Sequence, residues 1–324
     1  MVDTRAAGGA GLGLALLSAA SFGTSGTFAA SLLAAGWTPG AAVTVRVVVA
    51  ALVLTVPALL LLRGQIDALR RGSRTITVYG LAAVAGCQLC YFNAVQHMSV
   101  AVALLVEYSG ALLVVGWLWL RHRMRPRALT VAGAAVAVAG LVLVLDVLGS
   151  SSLSGTGLLW AAGSAVGLAV YFVLSASTDD ALPPLVVAWG GLAVGGAVLA
   201  LAGAVGVLPM AASRDDVVLL DAQVSWLLPV VGLSLVAAAL AYVSGIGGAR
   251  LLGAKLASFV GLTEVLFAVV FAWLLLGQEL APVQLAGGLL VLVGIALVRL
   301  DELRTPAAVP AATPGQALVT ASAD

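Results

Sequence analysis

Long apolar stretches separated by short polar breaks run along almost the whole chain. Each stretch has about 20 residues, the length an α-helix needs to cross a bilayer, and the pattern predicts about ten spans. The predicted spans are 10–32, 41–62, 76–96, 99–120, 128–146, 155–176, 184–206, 224–247, 254–276 and 282–300. Since the spans use nearly every residue, we predict an all-α membrane protein with little room for a soluble domain.

The composition agrees with this pattern. Hydrophobic residues make up 62% of the chain and charged residues 9%, whereas soluble domains carry roughly a quarter charged residues. A net charge of +1 leaves no basic face for nucleic acid.

The two cysteines, Cys87 and Cys90, have no second Cys/His pair that would complete a metal site, so we predict packing roles for them and no cofactor. No secretory cleavage pattern precedes the second span, so the first is expected to be retained.

The basic residues predict an orientation. With ten spans, 13 of the 15 Lys and Arg side chains fall on the side of both termini, Arg214 falls on the other side, and Arg46 lies inside span two. The cytoplasmic side of membrane proteins is rich in Lys and Arg, so both termini are predicted to be cytoplasmic. The Ala-, Pro- and Thr-rich tail is expected to be disordered.

The two halves of the chain carry matching landmarks. A span with one carboxylate, Glu107 or Glu264, is followed by a proline, Pro126 or Pro282, and then by a short span with spaced glycines. Such glycines let neighbouring helices approach closely. The predicted division is a first five-helix repeat at 1–148, a second at 149–304, and a tail at 305–324. An odd number of crossings puts the two repeats in opposite orientations, an arrangement typical of transporters.

Further motifs complete an ordered set that covers nearly the whole chain. They are the run from Leu262 to Pro282 with Gln284 and Gly287-Gly288 beyond it, Arg46 early in span two, the junction at 93–99, and the stretch from Gly157 to Tyr171. In this order they resemble the EamA-type ten-span members of the drug/metabolite transporter superfamily. The resemblance implies export of small metabolites, often amino acids or drug-like amphiphiles. Val265 stands where the family usually has a proline, so the resemblance does not itself predict a kink there.

The two intramembrane carboxylates are the first candidates for a site. Glu107 lies roughly 12 Å into span four at about 1.5 Å per residue, and Glu264 lies near the middle of span nine. A charged side chain at the bilayer centre costs roughly 2.5–3.5 kcal/mol and is a functional hypothesis by default. Each could face a central cavity and bind a substrate amine or a proton, or could instead tie neighbouring helices by hydrogen bonds.

Arg46 is the one basic residue well inside a predicted span, since Lys255 and Arg299 each lie one residue from a span end, and three interpretations stay open. It could pair with Glu107, reach towards water at the outer interface, or hold a substrate carboxylate. Gln88 and Tyr91, three residues apart, share a face of span three and could line the same cavity or bond to a partner helix.

Aromatic residues offer possible walls for a substrate. Trp160 and Tyr171 are eleven residues apart, hence on nearly the same face of span six, and could contact an apolar or cationic substrate. Trp37 is expected to be an interfacial anchor or to contact lipid.

These features together predict a secondary exporter of small metabolites in the inner membrane, working by alternating access. The chain has no GxxxxGK loop for ATP, so gradients would supply the energy, and uncoupled facilitation stays open. A structural or sensor protein without transport and a lipid flippase are the alternatives, whereas an intramembrane enzyme would need a catalytic cluster that the sequence lacks. The expected partners are a small-molecule substrate and the lipid bilayer. Gly163 and Gly167, or Gly191 and Gly195, could serve internal packing or a homodimer.

Overall fold

The computed structural model describes residues 4–63, 66–97, 100–122, 127–144, 155–177, 182–219, 222–276 and 282–303. The α-helices are α1 Thr4–Gly23, α2 Ser25–Ala34, α3 Pro39–Leu61, α4 Ile66–Val78, α5 Cys87–His97, α6 Val100–Tyr108, α7 Gly110–His122, α8 Ala128–Val144, α9 Gly155–Ser175, α10 Pro184–Ala204, α11 Leu227–Val231, α12 Ala241–Leu252, α13 Ala254–Gly261, α14 Thr263–Leu276 and α15 Pro282–Leu303. Two π-helical segments lie between helices, Tyr79–Gly86 between α4 and α5 and Gly232–Leu240 between α11 and α12. The predicted tail 305–324 lies outside the described residues.

The described part of the chain is mostly helical and contains seven stretches long and apolar enough to cross a membrane. These are Gly8–Ala34, Pro39–Leu61, Asp67–Ala94, Gly155–Ser175, Pro184–Ala204, Leu227–Leu252 and Ala254–Phe271. Two shorter apolar helices, Ala128–Gly140 and Ala286–Val298, accompany them. The prediction of a helical protein that crosses the membrane several times is therefore confirmed.

A small β-hairpin is an element that the sequence pattern did not predict. Strands β1 (Val217–Leu219) and β2 (Ala222–Val224) pair antiparallel. They lie in one of the long polar breaks, where no apolar stretch of helical length competes with a strand.

Three predicted spans are interrupted by a short break in the helix. At each break a hydroxyl donates to the carbonyl three residues earlier: Thr24 at 2.7 Å, Ser109 at 2.6 Å and Thr263 at 2.7 Å. Such side-chain bonds compete with the regular helical hydrogen bonds. The interruption at Leu262, between α13 and α14, thus forms without a proline.

Helices α3 and α10 pack antiparallel. Near the end of α3, the Thr55 hydroxyl accepts a hydrogen bond from Trp189 Nε1 at 3.0 Å, and Trp189 lies near the start of α10. Just before α3, the Thr38 hydroxyl donates to the Pro209 carbonyl at 2.8 Å, beyond the end of α10. The loop after α10 and the β-hairpin therefore lie beside the start of α3, and we call this end of the protein the hairpin side.

The stretch from α4 to α5 runs parallel to α10. A Cβ added to Gly190 would lie 2.7 Å from the side chain of Ile76, and one added to Gly195 would lie 2.9 Å from that of Val84. Contacts therefore advance along the two segments in the same direction, and α5, like α10, ends on the hairpin side.

One of the two roles predicted for Trp37, contact with lipid, is wrong. Trp37 is buried rather than in contact with lipid, its Nε1 donates to the Ser213 carbonyl at 2.9 Å, and its ring centroid lies 6.0 Å from that of Trp226. The loop before α11 folds over the start of α3 and covers the ring, which hydropathy could not indicate.

Glycines set the closest helix contacts. A Cβ on Gly133 of α8 would lie 2.8 Å from the Gly294 carbonyl of α15, and one on Gly140 would lie 2.6 Å from the Gly287 carbonyl. This confirms that the spaced glycines of the two short spans permit close approach. On α9, a Cβ on Gly167 would meet Cys87 at 2.6 Å, so this glycine serves internal packing.

Candidate functional site

Two small cavities share a wall in the interior of the helical bundle. The first has a volume of about 50 Å³ and the second about 40 Å³. Both are lined by Phe22 of α1, Gln88 of α5, Glu107 of α6 and Glu264 of α14, and we call these four residues the central site. Helices from both halves of the chain thus bring the two predicted carboxylates to one place.

The carboxylates have different partners. Glu107 is buried at 8% exposure, and its Oε1 lies 3.5 Å from the Cys87 thiol, which donates to it. Glu264 Oε2 accepts a hydrogen bond from the Tyr108 hydroxyl at 2.5 Å. Because Tyr108 follows Glu107 on α6, this bond connects the two helices that carry the carboxylates.

Arg46 lies at one end of the site and is held by neutral acceptors. Its Nη1 donates to Ser25 Oγ at 3.0 Å and to Gln88 Oε1 at 2.8 Å. Its Nη2 donates to the Ala237 carbonyl, and its Cζ lies 5.9 Å from the ring centroid of Phe22. The guanidinium is therefore positioned by four different parts of the chain.

Two of the three interpretations of Arg46 do not hold. Arg46 is 1% exposed, so it does not reach towards water at the interface. No ion pair joins it to Glu107 among the residues that the structure describes. Its Nε is buried and has no hydrogen-bond partner within the same residues. A buried donor without a partner costs free energy.

Aromatic rings close the other end of the site. Phe22, Tyr171, Phe172 and Tyr242 line the first cavity. The ring centroids of Phe22 and Tyr242 lie 5.1 Å apart, and those of Tyr171 and Tyr242 lie 5.8 Å apart, both in edge-to-face geometry. This is an arrangement that aromatic pairs prefer.

The structure brings together most of the predicted site residues. Gln88 borders both cavities, Tyr91 borders the second and Tyr171 the first. Trp160 does not line either cavity and is 38% exposed. Although Trp160 and Tyr171 face similar directions, eleven residues separate them by about 16 Å along the helix, and Trp160 lies near the start of α9.

Several lining residues carried no decisive sequence signal. Phe22 is one of many large apolar residues in the spans, and Cys87 was assigned to packing. Tyr108 and Tyr242, by contrast, are predicted from the sequence as further aromatic walls, and both line the first cavity.

The model of the EamA-like transporter family matches residues 9–146 and 155–300. The chain belongs to this family. The predicted resemblance is thereby confirmed, and the site lies within a membrane protein of a transporter family.

Two similar proteins illustrate the family and the fold. The uncharacterized inner membrane transporter YicL of Salmonella typhimurium is 23% identical over 237 residues, which cover 72% of this chain and 76% of YicL. A solved crystal structure superposes with a TM-score of 0.74 at 22% identity, covering 91% of this chain and 99% of that one. At this identity the crystal structure supports the fold alone.

Proposed function

We propose that this protein is a secondary transporter that exports small metabolites across the inner membrane by alternating access. The observation that carries the proposal is the gathering of Arg46, Glu107 and Glu264 around cavities inside a membrane-spanning bundle. Charged groups at this depth are costly and mark substrate or ion pathways. The family assignment and the inner-membrane relative support transport rather than a purely structural role for these charges.

The proposed architecture has ten spans in two inverted five-helix repeats, with both termini in the cytoplasm. The family model matches the chain twice, which supports two repeats. The hairpin side, with Arg214 as its one base in the predicted topology, is the outer side. The bundle end that carries Arg250 and Lys255 is the cytoplasmic side, in keeping with the preference of Lys and Arg for that side.

The chemistry of the site favours substrates with a cationic group and an apolar portion. Glu107 or Glu264 would pair with the cationic group, and the rings of Phe22, Tyr171 and Tyr242 would contact the apolar portion or the cation itself. In an amino acid, the carboxylate would bind the unpartnered Nε of Arg46. Amino acids and amphiphilic cations are therefore the proposed substrate classes.

The cavities are too small to hold such substrates as they stand. They have volumes of about 50 and 40 Å³, whereas small-molecule sites usually enclose roughly 300–1,000 Å³. We interpret this conformation as a closed state in which neither side has access, and expect the cavities to widen when one side opens.

A lipid substrate is the second candidate, and one observation favours it. An apolar groove of about 510 Å³ lies between α7 and α8, lined by Leu112, Val115, Val131, Ala134 and their neighbours. A groove open to the bilayer is where a lipid chain would enter, as a flippase requires.

The test is transport by purified protein in vesicles with a panel of amino acids and amphiphilic cations, with and without a pH gradient. We expect saturable movement of at least one compound by the wild type and its loss in the Glu107→Gln, Glu264→Gln double variant. Asp67→Asn is the matched control because that carboxylate is 83% exposed. Movement of none of the panel compounds would refute the metabolite proposal, and a fluorescent phospholipid in the same vesicles tests the second candidate. Transport unchanged in the double variant would remove both carboxylates from the mechanism.

A further inference from the structure

The two π-helical segments occupy corresponding positions in the two halves. They begin at Tyr79 and Gly232, 153 residues apart, and end at Gly86 and Leu240, 154 residues apart. The carboxylates of the predicted repeat, Glu107 and Glu264, have a similar separation of 157 residues. π-helical turns are rare and often occur at functional sites, so a pair at matching positions points to a shared role.

Each π segment accepts a hydrogen bond from the opposite half of the chain. The Ala83 carbonyl accepts from the Tyr242 hydroxyl at 3.3 Å. The Ala237 carbonyl accepts from Nη2 of Arg46. The two acceptors are 154 residues apart, the same separation as the segment ends. The two acceptors therefore occupy equivalent positions in the repeat, whereas the donors Arg46 and Tyr242 do not, and each bond joins one half to the other.

The two bonds lie at different depths. Measured from the helix ends on the hairpin side, Arg46 is about 10 Å deep and Ala237 about 15 Å at 1.5 Å per residue. On the same scale Ala83 is about 21 Å deep and Tyr242 about 22 Å. The Arg46 bond is thus nearer the hairpin side, and the Tyr242 bond is nearer the opposite side.

Each bond borders one of the two cavities. Tyr242 and Ala83 line the first cavity, whereas Arg46 lines the second. The residues common to both cavities include Gln88, which itself accepts from Arg46. Each bond therefore joins the two halves beside the central site, the Arg46 bond towards the hairpin side and the Tyr242 bond towards the opposite side.

We propose that these two bonds are the alternating ties of the transport cycle, with Arg46 and Tyr242 as positioning residues. The Arg46–Ala237 tie breaks when the site opens to the hairpin side, and the Tyr242–Ala83 tie breaks when it opens to the cytoplasm. Both ties are formed here, which accounts for the small closed cavities. The inference rests on the proposed function, since alternating access is what gives two such ties a use.

The native Cys87 provides a reporter that needs no substrate. Its side chain lines the first cavity and is 2% exposed in the closed state. In a Cys90→Ala background, we would measure how fast a charged, membrane-impermeant methanethiosulfonate modifies Cys87. The reagent is applied from the cytoplasmic face in inside-out vesicles and from the outer face in right-side-out vesicles.

Removing one tie should open one side only. Tyr242→Phe is expected to raise the rate from the cytoplasmic face roughly 2- to 10-fold, the population shift for one lost hydrogen bond, with no change from the outer face. Arg46→Lys, which keeps the charge, is expected to raise the rate from the outer face alone. Tyr91→Phe is the control, because it removes a hydroxyl that borders the second cavity and makes no hydrogen bond within the described residues.

The results separate the two proposals. Equal rates from both faces in the two tie variants, unchanged rates, or the reverse sidedness would overturn the assignment of the ties. If the labelling overturns the ties but the wild type transports a panel compound, the proposed function still stands. One-sided labelling in vesicles that transport no panel compound would support the ties and count against the proposed substrates. Size-exclusion profiles establish that each variant was folded before the assay, and Cys87 labelling after detergent denaturation gives the total reactive thiol to which the rates are normalised.

Discussion

Gly245 lies where α12 passes closest to the aromatic end of the central site. A Cβ added at this position would lie 1.8 Å from the Tyr171 hydroxyl and 2.6 Å from Ser18 Oγ. Contacts of a Cβ with another heavy atom are essentially never under 3.0 Å. In Gly245→Ala the Tyr171 hydroxyl must therefore retreat by at least 1.2 Å, the difference between 3.0 and 1.8 Å.

Neighbouring rings limit where the displaced tyrosine can go. The Tyr171 ring has its centroid 5.0 Å from that of Phe172 and 6.2 Å from that of Phe22. The free space on this side is the cavity of about 50 Å³, so the ring moves into the volume proposed for substrate. A displacement of about 1 Å at a site can reduce a rate by about 100-fold, and we expect a transport loss of about 10- to 100-fold.

The same change should alter stability little. Alanine favours a helix over glycine by about 1 kcal/mol, while overpacking of an interior costs about 1–3 kcal/mol. The two effects partly cancel, so the thermal unfolding midpoint in detergent should fall by only a few degrees. A large loss of transport with a small loss of stability is the expected signature of a blocked site.

The assay is vesicle transport of the panel compound that the wild type moves fastest. Gly247→Ala is the matched control, since it lies on the same helix and its Cβ would meet Leu14 Cδ1 alone, at 3.3 Å. Equal transport by folded Gly245→Ala and Gly247→Ala proteins would refute the reasoning, because the ring would then not border the substrate path.

Three further outcomes are expected. Gly140→Ala should lower the unfolding midpoint relative to Gly116→Ala, because its Cβ would meet the opposite backbone at 2.6 Å whereas the Gly116 position has nothing within 4 Å; equal midpoints would contradict the close contact of α8 and α15. Tyr108→Phe should raise KM with a smaller effect on maximal rate, since it removes a 2.5 Å bond that orients a site carboxylate; initial rates over a range of substrate concentrations measure this, and an unchanged KM would contradict the prediction. Asp301→Asn should destabilise by about 1–3 kcal/mol, because the buried carboxylate accepts from a threonine hydroxyl and lies 3.5 Å from a lysine ammonium; a midpoint equal to the wild type in thermal unfolding would count against this.

The candidate site was predictable in part. Glu107, Glu264 and Arg46 stand out because charge is costly inside an apolar span, and that cost is visible in any sequence. Their partners were not visible in this way. One acceptor of Arg46 is the backbone carbonyl of Ala237, in the π segment before α12. Every residue has such a carbonyl, so no side-chain pattern distinguishes Ala237.

Trp37 and Trp160 show a second limit of pattern reading. Hydropathy and helical period assign a side chain to a face and a depth, but not to a neighbour. Trp37 is buried because a loop distant in sequence packs over it and accepts a hydrogen bond from its Nε1. Trp160 is exposed because it lies near the start of α9, away from the site. Each outcome depends on what packs against the position.

The sequence by itself determined the helical, membrane-spanning character of the chain and its family, because the length and apolarity of a span are local properties that add along the chain. It also placed the charged groups at their depths. The tertiary structure alone decided that Tyr108 meets Glu264 across 156 residues and that each π segment accepts a bond from the other half. Such contacts depend on how helices pack, and packing is set by the shapes of many side chains together rather than by any one stretch of sequence.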